Sequence, residues 1–268
     1  MATVTLTPTK VPELMFEGYS ITPDAFAGKT AAEIAELPGH EGKIHMKIGD
    51  FFTVSGNAGE TAAETDIVIA GDCTRVKYIG SKMTAGSVTV NGNADMYVGG
   101  WMRGGKIHIK GNVDSFTGIQ MQGGELLVDG DAKNHVGCAY RGDWRGMKGG
   151  LIRIKGSAGN DIGTAMLGGT IIIEKDAFIH VSTHAEGGTV IVKGDVEGRV
   201  GGQMVKGEMY VLGKIKFMLP GYKKVDQVQK ECDGATYTFD HYIGDLGERH
   251  PKSKGQVVYA NLYLNAEA

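Results

Sequence analysis

Apolar residues recur in pairs through the middle of the chain, two and four positions after a glycine. The pairs are Val88/Val90 after Gly86, Ile107/Ile109 after Gly105, Leu126/Val128 after Gly124, Ile152/Ile154 after Gly150, Ile171/Ile173 after Gly169, Val190/Val192 after Gly188 and Met209/Val211 after Gly207. Between them stand mostly polar residues such as His108 and Arg153, the period of two expected of a strand with one buried face. The glycines step by 19, 19, 26, 19, 19 and 19 residues, and a second column, Gly80, Gly99, Gly118, Gly137, Gly163, Ser182 and Gly201, keeps the same steps. Two columns sharing one period and one seven-residue excess define an internal repeat.

A unit this short cannot bury its own apolar face. Stacked copies can, because strands about 4.8 Å apart bring like residues above one another. The pattern therefore predicts an all-β fold, a parallel β-helix of about seven 19-residue coils. The right-handed form is expected, since the hexapeptide pattern of the left-handed form is absent. Residues 66–221 form this body, 1–65 an N-terminal capping segment and 222–268 a C-terminal appendage. Within the cap, residues 3–7 predict a strand and 12–23 an irregular stretch. Thr30 with Glu33 makes a capping box for a helix carrying Ala31, Ile34, Ala35 and Leu37, stopped by Pro38-Gly39. Lys47–Ser55 and Asp66–Ala70 predict strands. Beyond Pro220, the residues from Lys223 to Asp233 read as polar, Ala235–Tyr242 and Gln256–Leu264 as strands, and Gly244–Lys254 as a charged turn, together capping the far end or reaching a partner.

Further columns carry candidate chemistry. Met83, Met102, Met121, Tyr140, Met166, Ala185 and Met204 stand by a third corner and read as core, where flexible methionines fill gaps. Ile79, Val98, Thr117, Val136, Ile162, Val181 and Val200 precede the second glycine column and point inward, so the residues before them point outward. Among those, His135, Asp161, His180 and Arg199 are the one cluster that invites a metal; the neighbouring Arg199 favours a polar ladder instead. His180 and His184 have the spacing of a zinc helix but fall in strand register, which would hold them apart. The seven extra residues lie in Cys138–Lys148. That insertion carries Tyr140, Arg141, Asp143, Trp144 and Arg145, residue types enriched at interfaces, and predicts a partner-docking loop in preference to one that folds back on itself through its charges.

Composition narrows the rest. The 268 residues include 43 glycines, as many corners require, and the net charge of −3 offers no basic footprint for nucleic acid. No apolar run is long enough for a membrane span and the opening Ala2-Thr-Val-Thr-Leu6 is no signal peptide. Three cysteines, Cys73, Cys138 and Cys232, show no Cys-x-x-Cys spacing, so neither a disulfide framework nor a zinc site is expected and a cytoplasmic location is. No catalytic constellation, cofactor motif or metal set emerges.

The glycine repeat, the Tyr140-Arg-Gly-Asp-Trp-Arg-Gly-Met147 insertion, Ala27-Gly-Lys29, Gly49-Asp-Phe-Phe52 and Gly255-Gln-Val-Val-Tyr259 together resemble the C subunit of formylmethanofuran dehydrogenase. The branch they look most like is the C subunit of the bacterial formyltransferase/hydrolase complex; the repeat alone is also similar to the β-helix of glutamate synthase. The resemblance implies a cytoplasmic hetero-oligomer with A, B and D subunits in one-carbon metabolism. There a formyl group passes from formyl-tetrahydromethanopterin to methanofuran or methylofuran on the D subunit, and the A subunit releases formate. In the alternative, the dehydrogenase, the B subunit holds a tungsten or molybdenum pterin. In either, the resemblance places no catalytic residue or cofactor on the C subunit and leaves open whether it contacts the carrier through the complex. A stand-alone β-helix carbohydrate enzyme is the rival of another class. It would need paired carboxylates in a groove built by long loops.

Overall fold

The computed structural model describes residues 2–244 and 259–268. The fold is mostly strand, with a few short helices near its start. In the first segment β1 (Ala2–Pro8) is followed by β2 (Phe16–Glu17), α1 (Pro23–Phe26), α2 (Ala31–Ala35), β3 (Pro38–Glu41), β4 (Ile44–Lys47) and β5 (Phe52–Gly56). The predicted helix is α2. Its capping box is complete, with Glu33 N–H donating to the Thr30 hydroxyl and Thr30 N–H to the Glu33 carboxylate at 2.8 Å, and Ile34 is its buried residue. α1 falls at the end of the stretch that reads as irregular: Thr22 accepts from Ala25 N–H and Pro23 supplies the first helical residue, a start signal for a single turn. The predicted strand from Lys47 begins only at Phe52, because Ile48–Asp50 closes a 3-10 turn in which Asp50 accepts from Lys47 N–H at 2.8 Å.

β6 (Thr65–Ile69) pairs in parallel with β1, and β7 (Val76–Lys77) with β2. From β6 onward the repeats build one ladder through β8 (Ser87–Val90), β9 (Lys106–Ile109), β10 (Glu125–Val128), β11 (Leu151–Ile154) and β12 (Thr170–Ile173). After β13 (Ala177–Ile179) it continues through β14 (Glu186–Val192) and, past β15 (Val196–Gly198), β16 (Lys206–Val211). Every pairing in it is parallel, and apart from an irregularity between Glu186 and Thr189 where β14 meets β16 it is in register, so Val88, Ile107, Leu126, Ile152, Ile171, Val190 and Met209 stack in one buried column. The seven-residue excess leaves this register untouched, since Leu126 sits beside Ile152 as Ile107 sits beside Leu126. A second parallel ladder joins Cys73, Ala94, Val113, Ala132, Ala158 and Ala177, and extends as β13, β15 and β17 (Ile215–Phe217).

Inside, Met83, Met102, Met121, Met166, Ala185 and Met204 are buried as expected. Tyr140 is not in that column. Met147 takes the place, fully buried, because the extra residues enter between Gly137 and the methionine position and not after it. The opening glycines are required: at Gly105 φ is +83°, and a Cβ there would lie 2.6 Å from Met83 Cε and 2.7 Å from the Gly86 carbonyl. A further ladder runs beside the corners. The side-chain oxygens of Asp72, Asn93, Asn112, Asp131, Asp176 and Asp195 accept the backbone N–H of the next unit's equivalent residue, at 2.7–3.1 Å. Each satisfies an amide that a corner would otherwise leave unpaired.

The appendage differs from its prediction in one strand. Lys223–Cys232, which reads as merely polar, is β18, and it pairs antiparallel with β19 (Ala235–Gly244). Its order comes from the partner strand and from the sheet beneath, which a polar sequence does not announce. β20 (Ala260–Asn265) lies parallel to β16 and antiparallel to β19, joining the hairpin to the long sheet. The hairpin lies back over the outer face, where Cys232 and Phe239 join Ile172, Ile191, Tyr210 and Tyr263 in a second apolar cluster. Its turn is pinned by ions: Arg153 donates to both Asp233 oxygens at 2.5 and 3.0 Å, and Lys193 reaches Asp233 at 2.7 Å and Glu174 at 2.8 Å. Of the predicted Gly244–Lys254 turn, all after Gly244 lies outside the described residues.

Candidate functional site

Two outward columns share an unusual backbone. Tyr78, Tyr97, Phe116, His135, Asp161, His180 and Arg199 all hold φ between 53° and 66°, as do Trp101, Ala165, His184 and Gln203 in the adjacent column within a few degrees. For residues with a Cβ this region costs roughly 1–2 kcal/mol each. Stacking offsets part of that in the first column. Tyr78 lies on Tyr97 at 4.7 Å and 8°, Tyr97 on Phe116 at 5.0 Å and 7°, and Phe116 on His135 at 4.6 Å and 13°; such pairs contribute about 0.5–1.5 kcal/mol beyond burial. Burial raises the Tyr78 phenol to about 12 and lowers His135, so both favour their neutral forms.

The 138–148 insertion leans on the second column. Gln120 takes the Trp101 indole N–H at 2.7 Å and donates its own amide to Asp143 at 2.8 Å and to the Arg145 carbonyl at 2.7 Å. Arg145 forks onto Asp143 at 2.9 and 3.2 Å. Held first by Arg145 and then by Gln120, the Asp143 carboxyl drops to about 2. At the loop's entry Cys138 is buried with Sγ on the Asp161 carbonyl, and burial pushes its thiol up to about 12, an inert packing role. Of the five predicted interface residues, Asp143 and Arg145 thus brace the loop. Tyr140 and Trp144 project, 44% and 70% exposed, with Tyr140 tilted against Trp101 at 5.7 Å and Trp144 edge-on to His184 at 5.7 Å. Arg141 is exposed beside them. Gln120 is the residue that sequence reasoning passes over, although it stands one repeat after Trp101.

The histidine cluster lies as a polar ladder up successive units. His135 and His180 flank Asp161 with Nδ1 3.8 and 3.5 Å from its oxygens, and Arg199 lies 3.2 Å from His180 Nε2. Among the described residues no set of three or more His, Cys, Asp or Glu side chains is arranged to hold a metal. Strand register does not separate His180 from His184. With φ of 63°, 57° and 56° at His180, Ser182 and His184 the segment turns, and both imidazoles line one cleft of about 300 Å³. Another cleft, of about 440 Å³, lies between Tyr19, Tyr78, Trp101, Glu17 and Lys82. The aromatic face thus runs from Tyr19 to Trp144 and includes both tryptophans of the chain. Among the described residues no helix is long and apolar enough to cross a membrane.

Compared with known proteins, the chain is 50% identical over 254 residues to the C subunit of the tungsten-containing formylmethanofuran dehydrogenase 2 of Methanococcus maripaludis, covering 91% of each. The chain belongs to the C-subunit family of formylmethanofuran dehydrogenase. Shorter matches within the family include the C subunit of the molybdenum-containing dehydrogenase 1 of Methanosarcina barkeri, 46% identical over 96 residues, or 36% of this chain and 32% of that one. The C subunit of the tungsten-containing dehydrogenase 2 of Methanothermobacter thermautotrophicus is 44% identical over 96 residues, so the chain spans about a third of these two relatives. No protein-family model matches the chain. A chain in the crystal structure of the formyltransferase/hydrolase complex of Methylorubrum extorquens with methylofuran superposes with a TM-score of 0.83. It covers 98% of this chain and 99% of that one at 22% identity, a likeness of fold.

Proposed function

We propose that this chain is the structural C subunit of a hetero-oligomeric one-carbon assembly, a parallel, right-handed β-helix that carries partner subunits and holds no catalytic residue or cofactor itself. The two ladders and the glycine corners support the winding. The partners are the A, B and D subunits, and formylmethanofuran is handled by the assembly they form. The observation that carries this reading is the aromatic face, on which Trp101, Tyr140 and Trp144 surround a braced loop. Trp, Tyr and Arg are the side chains that dominate binding at protein interfaces, and a loop stiffened by Gln120, Asp143 and Arg145 loses little entropy on docking.

The sequence motifs alone favour the formyltransferase/hydrolase branch. The 50% identity to a chain of a tungsten dehydrogenase, against 22% for the hydrolase-complex chain, moves the weight to a dehydrogenase. Affinity purification of the natural complex through this chain tests both levels. Mass spectrometry is expected to find A, B and D subunits, and tungsten or molybdenum in stoichiometric amount identifies the dehydrogenase. A complex free of both metals that releases formate from formylmethanofuran identifies the hydrolase. Recovery of the chain alone, with turnover of its own, overturns the structural reading.

A further inference from the structure

We infer that the cleft lined by His180, Thr183, His184, Arg199, Gln203 and Leu219 is a carboxylate-binding site. This inference stands independently of the assembly reading above. The cleft measures about 300 Å³. Among the described residues that line it, the permanently charged one is Arg199, an exposed side chain with no carboxylate within ion-pair distance among the described residues. Arg199 donates one N–H to His180 Nε2 at 3.2 Å. That fixes His180 as the tautomer with its proton on Nδ1, the nitrogen 3.5 Å from Asp161. The rest of the guanidinium fork is left for a planar two-oxygen acceptor, which it meets with two parallel N–H bonds.

The backbone aims these groups together. His180, His184, Arg199 and Gln203 all sit at φ between 53° and 63°, the conformation that turns a side chain out of the repeat at this corner. The unit holding His180 and His184 also departs from its column in having Ser182 for glycine and Ala185 for methionine. Charge selects the ligand. Asp161, which faces His180 at 3.5 Å, would repel a second negative charge on the ligand at short range. A singly charged carboxylate therefore suits the cleft better than a dianionic phosphate or sulfate.

The test is a titration of the full chain, labelled with ¹⁵N-histidine, with acetate and separately with sulfate and chloride, read in long-range imidazole spectra. Expected are saturable shifts of His180 and His184 on adding acetate, with His40 and His45 unmoved as internal references. Arg199→Gln should weaken acetate binding about tenfold or more, and Arg199→Lys, which keeps the charge but not the fork, should fall between. Shifts equal for acetate and chloride, tighter binding of sulfate, or undiminished affinity in a folded Arg199→Gln chain overturn the inference. The assembled complex distinguishes the ligand's source. Imidazoles already at their saturated positions and unresponsive to acetate mean that a partner's side chain fills the site, and a normal titration means a free carboxylate ligand.

Discussion

The residues at positive φ show how side-chain choice follows the repeat. Where the corner only needs to turn, as at Gly105, glycine is required. We expect Gly105→Ala to destabilise by about 2 kcal/mol or more, from the left-handed φ and the crowding of Met83 and the Gly86 carbonyl. In the buried column, Ile171→Asp should cost about 3–5 kcal/mol by leaving an unpaired charge in the core. Glu125→Lys, on an exposed position beside Lys106, should stay within about 0.5 kcal/mol. Urea denaturation of the three variants measures all of this. Alternation alone exposes these inward positions, because burial every second residue is written directly into the order of residue types. The placement of Tyr140 is not legible in the same way: a step of 19 from Met121 lands on Tyr140 and a step of 26 on Met147, and only packing decides which side of the methionine position the extra residues enter.

At the scale of elements, in-register stacking makes whole units removable. Deleting Gly86–Gly104, one 19-residue unit, places β6 against β9, where Asp66 meets Lys106 and Tyr78 can stack on Phe116. A soluble, strand-rich, shortened protein is expected, whereas deleting 18 residues inverts the buried face; equal melting of the two would refute the stacked-unit account. The hairpin of β18 and β19 obeys different physics. Asp233 is held at about 2, first by Arg153 and also by Lys193. A folded-state pKa below the unfolded value stabilises fully above the unfolded pKa, about 3.9, and is lost as pH falls through the folded one. Protection of the β18 amides relative to their intrinsic exchange rates should therefore fall between about pH 4 and pH 2, and Asp233→Asn should show lower protection already at neutral pH. β18 escapes the sequence because Lys223–Cys232 buries little of itself; its order is borrowed from β19, from the apolar cluster at Tyr210 and from the ion pairs on Arg153. The asparagine and aspartate ladder escapes for a related reason, since those residues beside glycine read as ordinary turns until the next unit's amides are seen above them.

For the whole molecule, the insertion at 138–148 is where the proposed assembly would meet the fold. Length and residue type mark it in the sequence, yet they cannot divide its side chains into those that brace and those that project, because that division is made by Gln120, one unit away. Arg145 is engaged with Asp143, so a variant removing it would loosen the loop as well as any interface. The cleaner probe is Tyr140→Ala with Trp144→Ala, which deletes the two exposed rings and leaves the Gln120–Asp143–Arg145 brace intact. Trp144 is mostly solvated and Tyr140 nearly half exposed, so the melt of the isolated chain should move by no more than the equivalent of about 1 kcal/mol. At the centre of an interface the same truncation typically costs about 2–4 kcal/mol of binding. Co-purification with the partner subunits should accordingly weaken, and whole-complex activity should fall in proportion to lost assembly with its pH profile unchanged. Unfolding of the isolated double variant would make the rings packing groups. An intact complex with collapsed turnover would place them at a partner's active site, and a chain that only supports its neighbours would then be too simple a description.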